Sequence, residues 1–267
     1  ITCENNFRGR TVSIVSFSTD PLYREDFGPY TPGFVVVPYG DAQAIEDAIT
    51  PNTAAVMVEP IQGDAGVVVP PAGYLRMLRR ICNQHNVLLI ADEIQTGLGR
   101  TGRLFASDYE GIRPDMVIIG KALAGGFYPV SAVLADPEVM GLFTPGEHGS
   151  TFGGNPLGMA VARAALRVIV EEKLVENSAE LGEYFMEQLC EIPSPHVKEI
   201  RGKGLLIGVE LKPEAGGARR FCEKLAELGI LAKETHQHVI RFAPPLVINH
   251  ETLDWALPRI REVLNIQ

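Results

Sequence analysis

The chain has 267 residues, 46% of them hydrophobic, and a formal net charge of -9. That length can bury a sizeable core and is long for one compact domain, and the acidic balance argues against a general nucleic-acid binder, which needs a basic face to neutralise phosphates. Cys3, Cys82, Cys190 and Cys222 lie far apart with no CxxC, so the spacing suggests neither a disulfide framework nor a zinc site. No apolar run approaches the length of a membrane span, and the opening ITCENNFRGRT has neither the apolar core nor the cleavage region of a signal peptide. The expectation is a soluble, cytoplasmic protein whose partners are small molecules, with no nucleic acid and no membrane.

The opening, with VSIVSF at 12 to 17 following almost at once, reads as the middle of a domain. After a turn-rich stretch at 18 to 33, VVVP at 35 to 38 reads as a strand and DAQAIEDAI, from Asp41, as a capped amphipathic helix. AAVMVEP is a further apolar strand running into the loop IQGDAGVVVPPAG. In YLRMLRRICNQHN the apolar residues Leu75, Leu78, Ile81 and Cys82 follow helical spacing. Two more strands follow, VLLIA stopping at Asp92 and MVIIG stopping at Lys121, and then VSAVLA at 130 to 135. Strands alternating with helices imply an α/β fold with a mostly parallel, doubly wound sheet.

After the Gly-rich loop GEHGSTFGGNP the pattern changes to long helices, LGMAVARAALRVIVEE and the segment around Leu174 to Leu189. A boundary is placed there, with a larger domain over 1–157 and a smaller C-terminal α/β domain over 158–267. The smaller domain is expected to hold strands LLIGVEL and VIRFAP and helices from Ala218 and from Glu251.

Two strand ends carry the chemistry. A short β-branched run ending in a charged residue reads as a buried parallel strand, whose carboxyl end is where α/β folds place ligands. An acid at Asp92 and an amine at Lys121 suit pyridoxal phosphate, which needs a lysine for its Schiff base and a carboxylate to keep its pyridine nitrogen protonated. The small residues ALAGG after Lys121 allow close approach of a flat ligand.

With these stand NFRGRT at 6 to 11, VEPIQGDAG at 58 to 66, LLIADEIQTGLGRTG at 88 to 102, GKALAGGFYPVSAV at 120 to 133, HGSTFGGNPLG at 148 to 158, and RGKGLL with VIRFAPPLVI in the last third. In these blocks, which cover nearly the whole chain, the sequence resembles the class III, fold type I pyridoxal-phosphate aminotransferases, and within them the enzymes acting on ornithine. The resemblance implies transfer of the δ-amino group of ornithine to 2-oxoglutarate, giving glutamate 5-semialdehyde and glutamate by a ping-pong route. The alternatives are another ω-amino donor, such as acetylornithine or 4-aminobutyrate, or a non-catalytic fragment that keeps fold and self-association only.

Carried over by position, the resemblance makes Lys121 the cofactor lysine and proton shuttle and Asp92 the partner of the pyridinium nitrogen. It makes Gln95 the donor to the phenolic oxygen, and Phe7 and Ile94 the residues on the two ring faces. Ser150 and Thr151 reach the phosphate of a neighbouring subunit, so a homodimer with a shared active site is implied. Arg10 takes the carboxylate remote from the reacting carbon, Arg241 takes the α-carboxylate of 2-oxoglutarate or glutamate, and Asp64 covers Arg241 while ornithine is bound.

Three departures accompany the resemblance. Asp64 stands where glutamate is usual, which shortens the gate by one methylene. Arg8 stands where histidine or another aromatic is common, and either adds positive charge to the site or points to solvent. The family's N-terminal segment, with its small-residue phosphate loop and the tyrosines that grip ornithine, is expected to be missing from these 267 residues. His236 and His238 form an HxH pair without a third ligand nearby, so no metal is expected. Neither GLGRTG nor RGKG has the glycine order of a nucleotide loop, and Ser150 is not in a GxSxG elbow.

Overall fold

The computed structural model describes residues 1–266. Its chain divides into two compact units: Ile1–Pro60 with Pro70–Leu98 and Phe105–Val168, and Ile61–Val69 with Gly99–Leu104 and the residues from Ile169 on.

The first unit opens with β1 (Thr2–Cys3) and the short helices α1 (Val12–Val15) and α2 (Pro21–Arg24). The Val-rich run at 35 to 38 contributes only two residues, β2 (Val36–Val37), paired in parallel with β1. Asp41 caps α3 (Ala42–Asp47) by accepting the Ala44 N–H at 2.9 Å, as its residue type predicts. Then come β3 (Ala55–Val58), α4 (Tyr74–His85), β4 (Leu88–Asp92), β5 (Met116–Ile119), β6 (Ala132–Ala135), α5 (Pro137–Met140) and α6 (Pro156–Glu171).

Strands β3, β4, β5 and β6 form one sheet in sequence order. The first two pairings are parallel and β5–β6 is antiparallel, so the sheet is mostly parallel with one reversed edge strand. On α4 the residues Tyr74, Leu75, Leu78, Ile81 and Cys82 are buried, the stripe that a 3.6-residue period puts on one face. Tyr74, Leu75, Leu78 and Cys82 pack with Val56, Val58 and Leu89 from the sheet. Each such aliphatic side chain contributes about 1.5–3 kcal/mol on burial.

The second unit contains α7 (Leu174–Cys190), β7 (Val197–Lys203), β8 (Leu206–Leu211), α8 (Arg219–Glu227), β9 (Lys233–Thr235), β10 (Val239–Phe242) and α9 (His250–Val263). Its sheet, in the order β7-β8-β10-β9, is antiparallel throughout. One face packs against Leu181, Phe185 and Leu189 of α7, Phe221 and Leu225 of α8, and Leu253 and Ile260 of α9. Leu206 of β8 packs instead with Ile61 and Val67, so the segment 61–69 belongs to this unit.

Arg201 fastens that segment, its Nε donating to the Val67 carbonyl at 3.1 Å and its Nη2 to the Gly66 carbonyl at 2.8 Å. Gly182 on α7 is required by packing: a Cβ there would lie 2.2 Å from the Gly204 carbonyl carbon. Among the described residues no helix is long and apolar enough to cross a membrane.

Candidate active site

The register of the parallel strands lines up three ionisable residues. Val58 pairs with Ala91, so the residues that follow them, Glu59 and Asp92, are neighbours at the carboxyl ends of β3 and β4. Asp92 in turn pairs with Ile118, and β5 ends one residue later, so Lys121 stands just beyond the same end of the next strand. Sequence inspection singles out Asp92 and Lys121 and passes over Glu59. The signal was present, since AAVMV runs into an acid as VLLIA does.

A short strip of chain crosses these strand ends. Asn6 anchors it, its Nδ2 donating to the Cys3 carbonyl at 2.7 Å and the Phe17 carbonyl at 3.1 Å. The next residue, Phe7, donates its N–H to Glu59 Oε1 at 3.1 Å. Arg8 follows and places Nη1 2.7 Å from Asp92 Oδ2, with side chains only 3% and 5% exposed. Of the two roles left open for Arg8, the structure places its charge in the site. Asp92 Oδ1 accepts the Ile94 N–H at 3.0 Å.

Burial pushes the Glu59 carboxyl up to about 7; the Arg8 guanidinium, the Phe7 N–H and the Lys121 charge pull it down, while Asp92 pushes it further up. Glu59, Arg8, Asp92 and Lys121 thus share one electrostatic neighbourhood. The neighbouring acid Glu93 has a different task. It is buried and accepts the backbone N–H groups of Ala106 and Ser107 at 3.0 and 2.8 Å, holding the chain after the loop.

Lys121 has φ +40°, a left-handed conformation uncommon for a residue with a side chain and costly unless the surroundings enforce it. It opens the 3-10 turn Lys121–Ala124 and, with Ile94, Gly120, Ser131 and Asn155, lines a cleft of about 450 Å³. Gly120 approaches Ile94 so closely that an added Cβ would sit 3.4 Å from Ile94 Cγ2. Gln95 is half-buried on the turn after β4.

Phe7 meets Tyr23 edge to face with ring centroids 5.5 Å apart, and the exposed Arg10 lies over the Tyr23 ring at 4.6 Å. Ser150 and Thr151 are exposed; Ser150 Oγ accepts the Gly153 N–H at 2.9 Å.

In the second unit Arg241, on β10, donates to the Gly63 carbonyl at 3.1 Å and lies 3.6 Å from Asp64 Oδ1. The two side chains are 18% and 32% exposed. Thr235 Oγ1 donates to the Asp64 carbonyl, which ties the acid's backbone to β9.

A family model described as aminotransferase class-III matches residues 1–264. The chain belongs to that family. It is 60% identical over 266 residues to the ornithine aminotransferase of Brevibacillus brevis, covering 100% of this chain and 66% of that protein. To the ornithine aminotransferase of Bacillus subtilis it is 58% identical, covering 99% of this chain and 65% of that protein. The class-III chain therefore spans slightly less than two thirds of the length of these relatives.

Among solved structures, the ornithine aminotransferase of Toxoplasma gondii superposes with a TM-score of 0.96 at 48% identity, covering 98% of this chain and 63% of that one. The acetylornithine aminotransferase of Elizabethkingia anophelis gives 0.85 at 44% identity, covering 98% and 64%. A further structure of the Toxoplasma gondii enzyme is described as having partial occupancy of PLP at the active site. The α/β class read from strand and helix alternation is the fold these aminotransferases share.

Proposed function

We propose that this class-III chain carries the cofactor-holding residues of a pyridoxal-phosphate aminotransferase that moves the δ-amino group of ornithine to 2-oxoglutarate. The row of Glu59, Asp92 and Lys121 at three adjacent parallel strand ends carries this reading. The residues fit the cofactor: an amine lines a cleft beside Ile94, and the carboxylate two residues before Ile94 is fixed and buried. When bound, pyridoxal phosphate supplies an electron-withdrawing ring that makes a proton on the carbon bearing the amino group easier to remove.

The chain's own residues then divide the work. Lys121 Nζ would hold the group covalently and, when free, would carry a proton from the substrate carbon to the cofactor. Asp92, already held by Arg8 and the Ile94 N–H, would accept the ring N–H at a remaining carboxylate position. Ile94 and Phe7 would flank the ring, and Gln95 would donate to its phenolic oxygen.

Arg10 is the candidate for the carboxylate remote from the reacting carbon and Arg241 for the α-carboxylate of 2-oxoglutarate, each by planar bidentate pairing. Asp64 answers the charge of Arg241 when the substrate brings no second carboxylate. The 3.6 Å separation supports a pair loose enough to be displaced.

Ser150 and Thr151 are candidates for the phosphate held by a second copy of the chain. Support for a homodimer comes from Phe127, Leu142 and Phe152, each 79% exposed. A cytoplasmic setting is supported by the four cysteines, all free thiols.

The likeness to a solved acetylornithine aminotransferase favours one second reading, with N-acetylornithine as donor. The test is to load the chain with pyridoxal phosphate, reduce with borohydride, map the pyridoxyl group by mass spectrometry and then compare donors. Label on Lys121 that disappears in Lys121→Ala, with ornithine turned over faster than N-acetylornithine or 4-aminobutyrate, is the expected result. Label scattered over other lysines would sink the cofactor assignment, and preference for N-acetylornithine would select the second reading.

A further inference from the structure

We infer that Arg8 is a positioning residue that clamps Asp92 and sets how much of its negative charge is left for a pyridine nitrogen. This rests on the proposed cofactor role of Asp92. The geometry carries the inference: Nη1 reaches Oδ2 at 2.7 Å, the Ile94 N–H donates to Oδ1 at 3.0 Å, and both side chains are almost fully buried. A carboxylate offers about four lone-pair sites, so a third donor can still be accepted once its plane is held by the first two.

Stability alone does not account for the pair. Replacing a buried ion pair by apolar side chains is often neutral or stabilising, and here the Arg8 Nε is buried with no hydrogen-bond partner, a further desolvation cost. What the pair does supply is electrostatic. A ring cation approaching Asp92 meets a carboxylate already matched by a guanidinium, so its protonated form is favoured less than it would be against Asp92 alone.

Besides Asp92, Arg8 acts electrostatically on Glu59 at the end of β3, Cys3 on β1 and Tyr39, and Lys121 acts on the same Glu59. Burial raises Cys3 and Tyr39, which keeps both neutral at and below neutral pH. Glu59 titrates at about 7 and needs a control of its own.

The experiment loads the full chain with pyridoxal phosphate labelled with nitrogen-15 in the ring and follows the ring-nitrogen shift across pH by NMR. Wild type is compared with Arg8→Gln, which keeps a donor and loses the charge, and with Arg8→Lys, which keeps the charge. Arg8→Gln is expected to raise the midpoint for ring protonation by about one pH unit, and Arg8→Lys to restore it. The same rise is expected in a Glu59→Gln background.

Binding of 4′-deoxypyridoxine 5′-phosphate, which has the ring nitrogen but no aldehyde to link to Lys121, should tighten in Arg8→Gln above neutral pH. An unchanged or lowered midpoint with Lys121 still labelled would overturn the role of Arg8 and leave the aminotransferase reading standing. Failure to label Lys121 would overturn both.

Discussion

Of the pairs between arginine and aspartate, one in each unit joins two candidate site residues or their neighbours, and these two are built differently. Arg8 and Asp92 meet at 2.7 Å with side chains 3% and 5% exposed, whereas Arg241 and Asp64 stand 3.6 Å apart at 18% and 32%. The first acid is held by a backbone N–H on its other oxygen. In the second pair it is the arginine that is steadied, by the Gly63 carbonyl, and the acid that is left more open to water. A buried charge cannot leave its partner without a large desolvation cost, while a half-exposed carboxylate can exchange one partner for water at little expense. The tight pair suits a fixed polar anchor and the loose pair a group that yields to an incoming carboxylate.

The comparison breaks most sharply at Arg8. Arg8→Met leaves Asp92 buried with only the Ile94 N–H, and is expected to cost about 3–5 kcal/mol in urea unfolding. A loss below about 1 kcal/mol would mean that water reaches the pair and that it is no tighter than the other.

Glu59, beside the tight pair, gives the next largest effect. Its folded pKa of about 7 lies above the ordinary 4.5, so its contribution to stability is complete below about 4.5 and is lost as pH rises towards 7. Glu59→Gln removes this dependence. Relative to wild type it should gain on the order of 3 kcal/mol between about pH 4 and about pH 8, read from unfolding midpoints at both. Parallel profiles for the two proteins would place Glu59 in contact with solvent.

Asp64→Asn gives the smallest change. It is expected to alter stability by less than about 1 kcal/mol, an effect that shrinks as salt is raised to about 1 M, while the Arg8→Met loss persists. Its larger signature is functional: tighter inhibition by dicarboxylates such as glutarate, because Arg241 loses its competing acid. Unchanged inhibition would remove Asp64 from the gate.

Much of the first unit was legible in local pattern. The apolar runs at 55–58, 88–92 and 116–119 are strands, being short and rich in β-branched and aliphatic side chains, and in β3 and β4 buried and half-buried residues alternate as the two faces of a sheet do. Asp41 announced the helix it caps. In the second unit β7 (VKEIRGK) was missed, since only its pairing with β8 makes a strand of so polar a run. The hairpin strand β9, three residues long, carried no periodic signal, and it exists by pairing with β10.

Site residues divide along the same line. Residue type and position at a strand end were enough to select Asp92 and Lys121, because an acid or amine closing an apolar run is a local feature. Glu59 met the same criterion and was overlooked, and its raised pKa depends on burial and on neighbours distant in sequence. The orientation of Arg8 was equally undecidable from its own surroundings in NFRGRT.

By itself the sequence determined the α/β class, the main strands of the first unit, the family, and which acid and which amine close apolar strands, since periodicity and end residues are properties of contiguous chain. Tertiary structure decided that Glu59 and Asp92 lie side by side, that Arg8 turns inward to meet Asp92 across 84 positions, and that 61–69 and 99–104 fold with the second unit. Those outcomes rest on strand register and on the cost of leaving a charge or a carbonyl unpaired away from water, and both are settled only when distant segments meet.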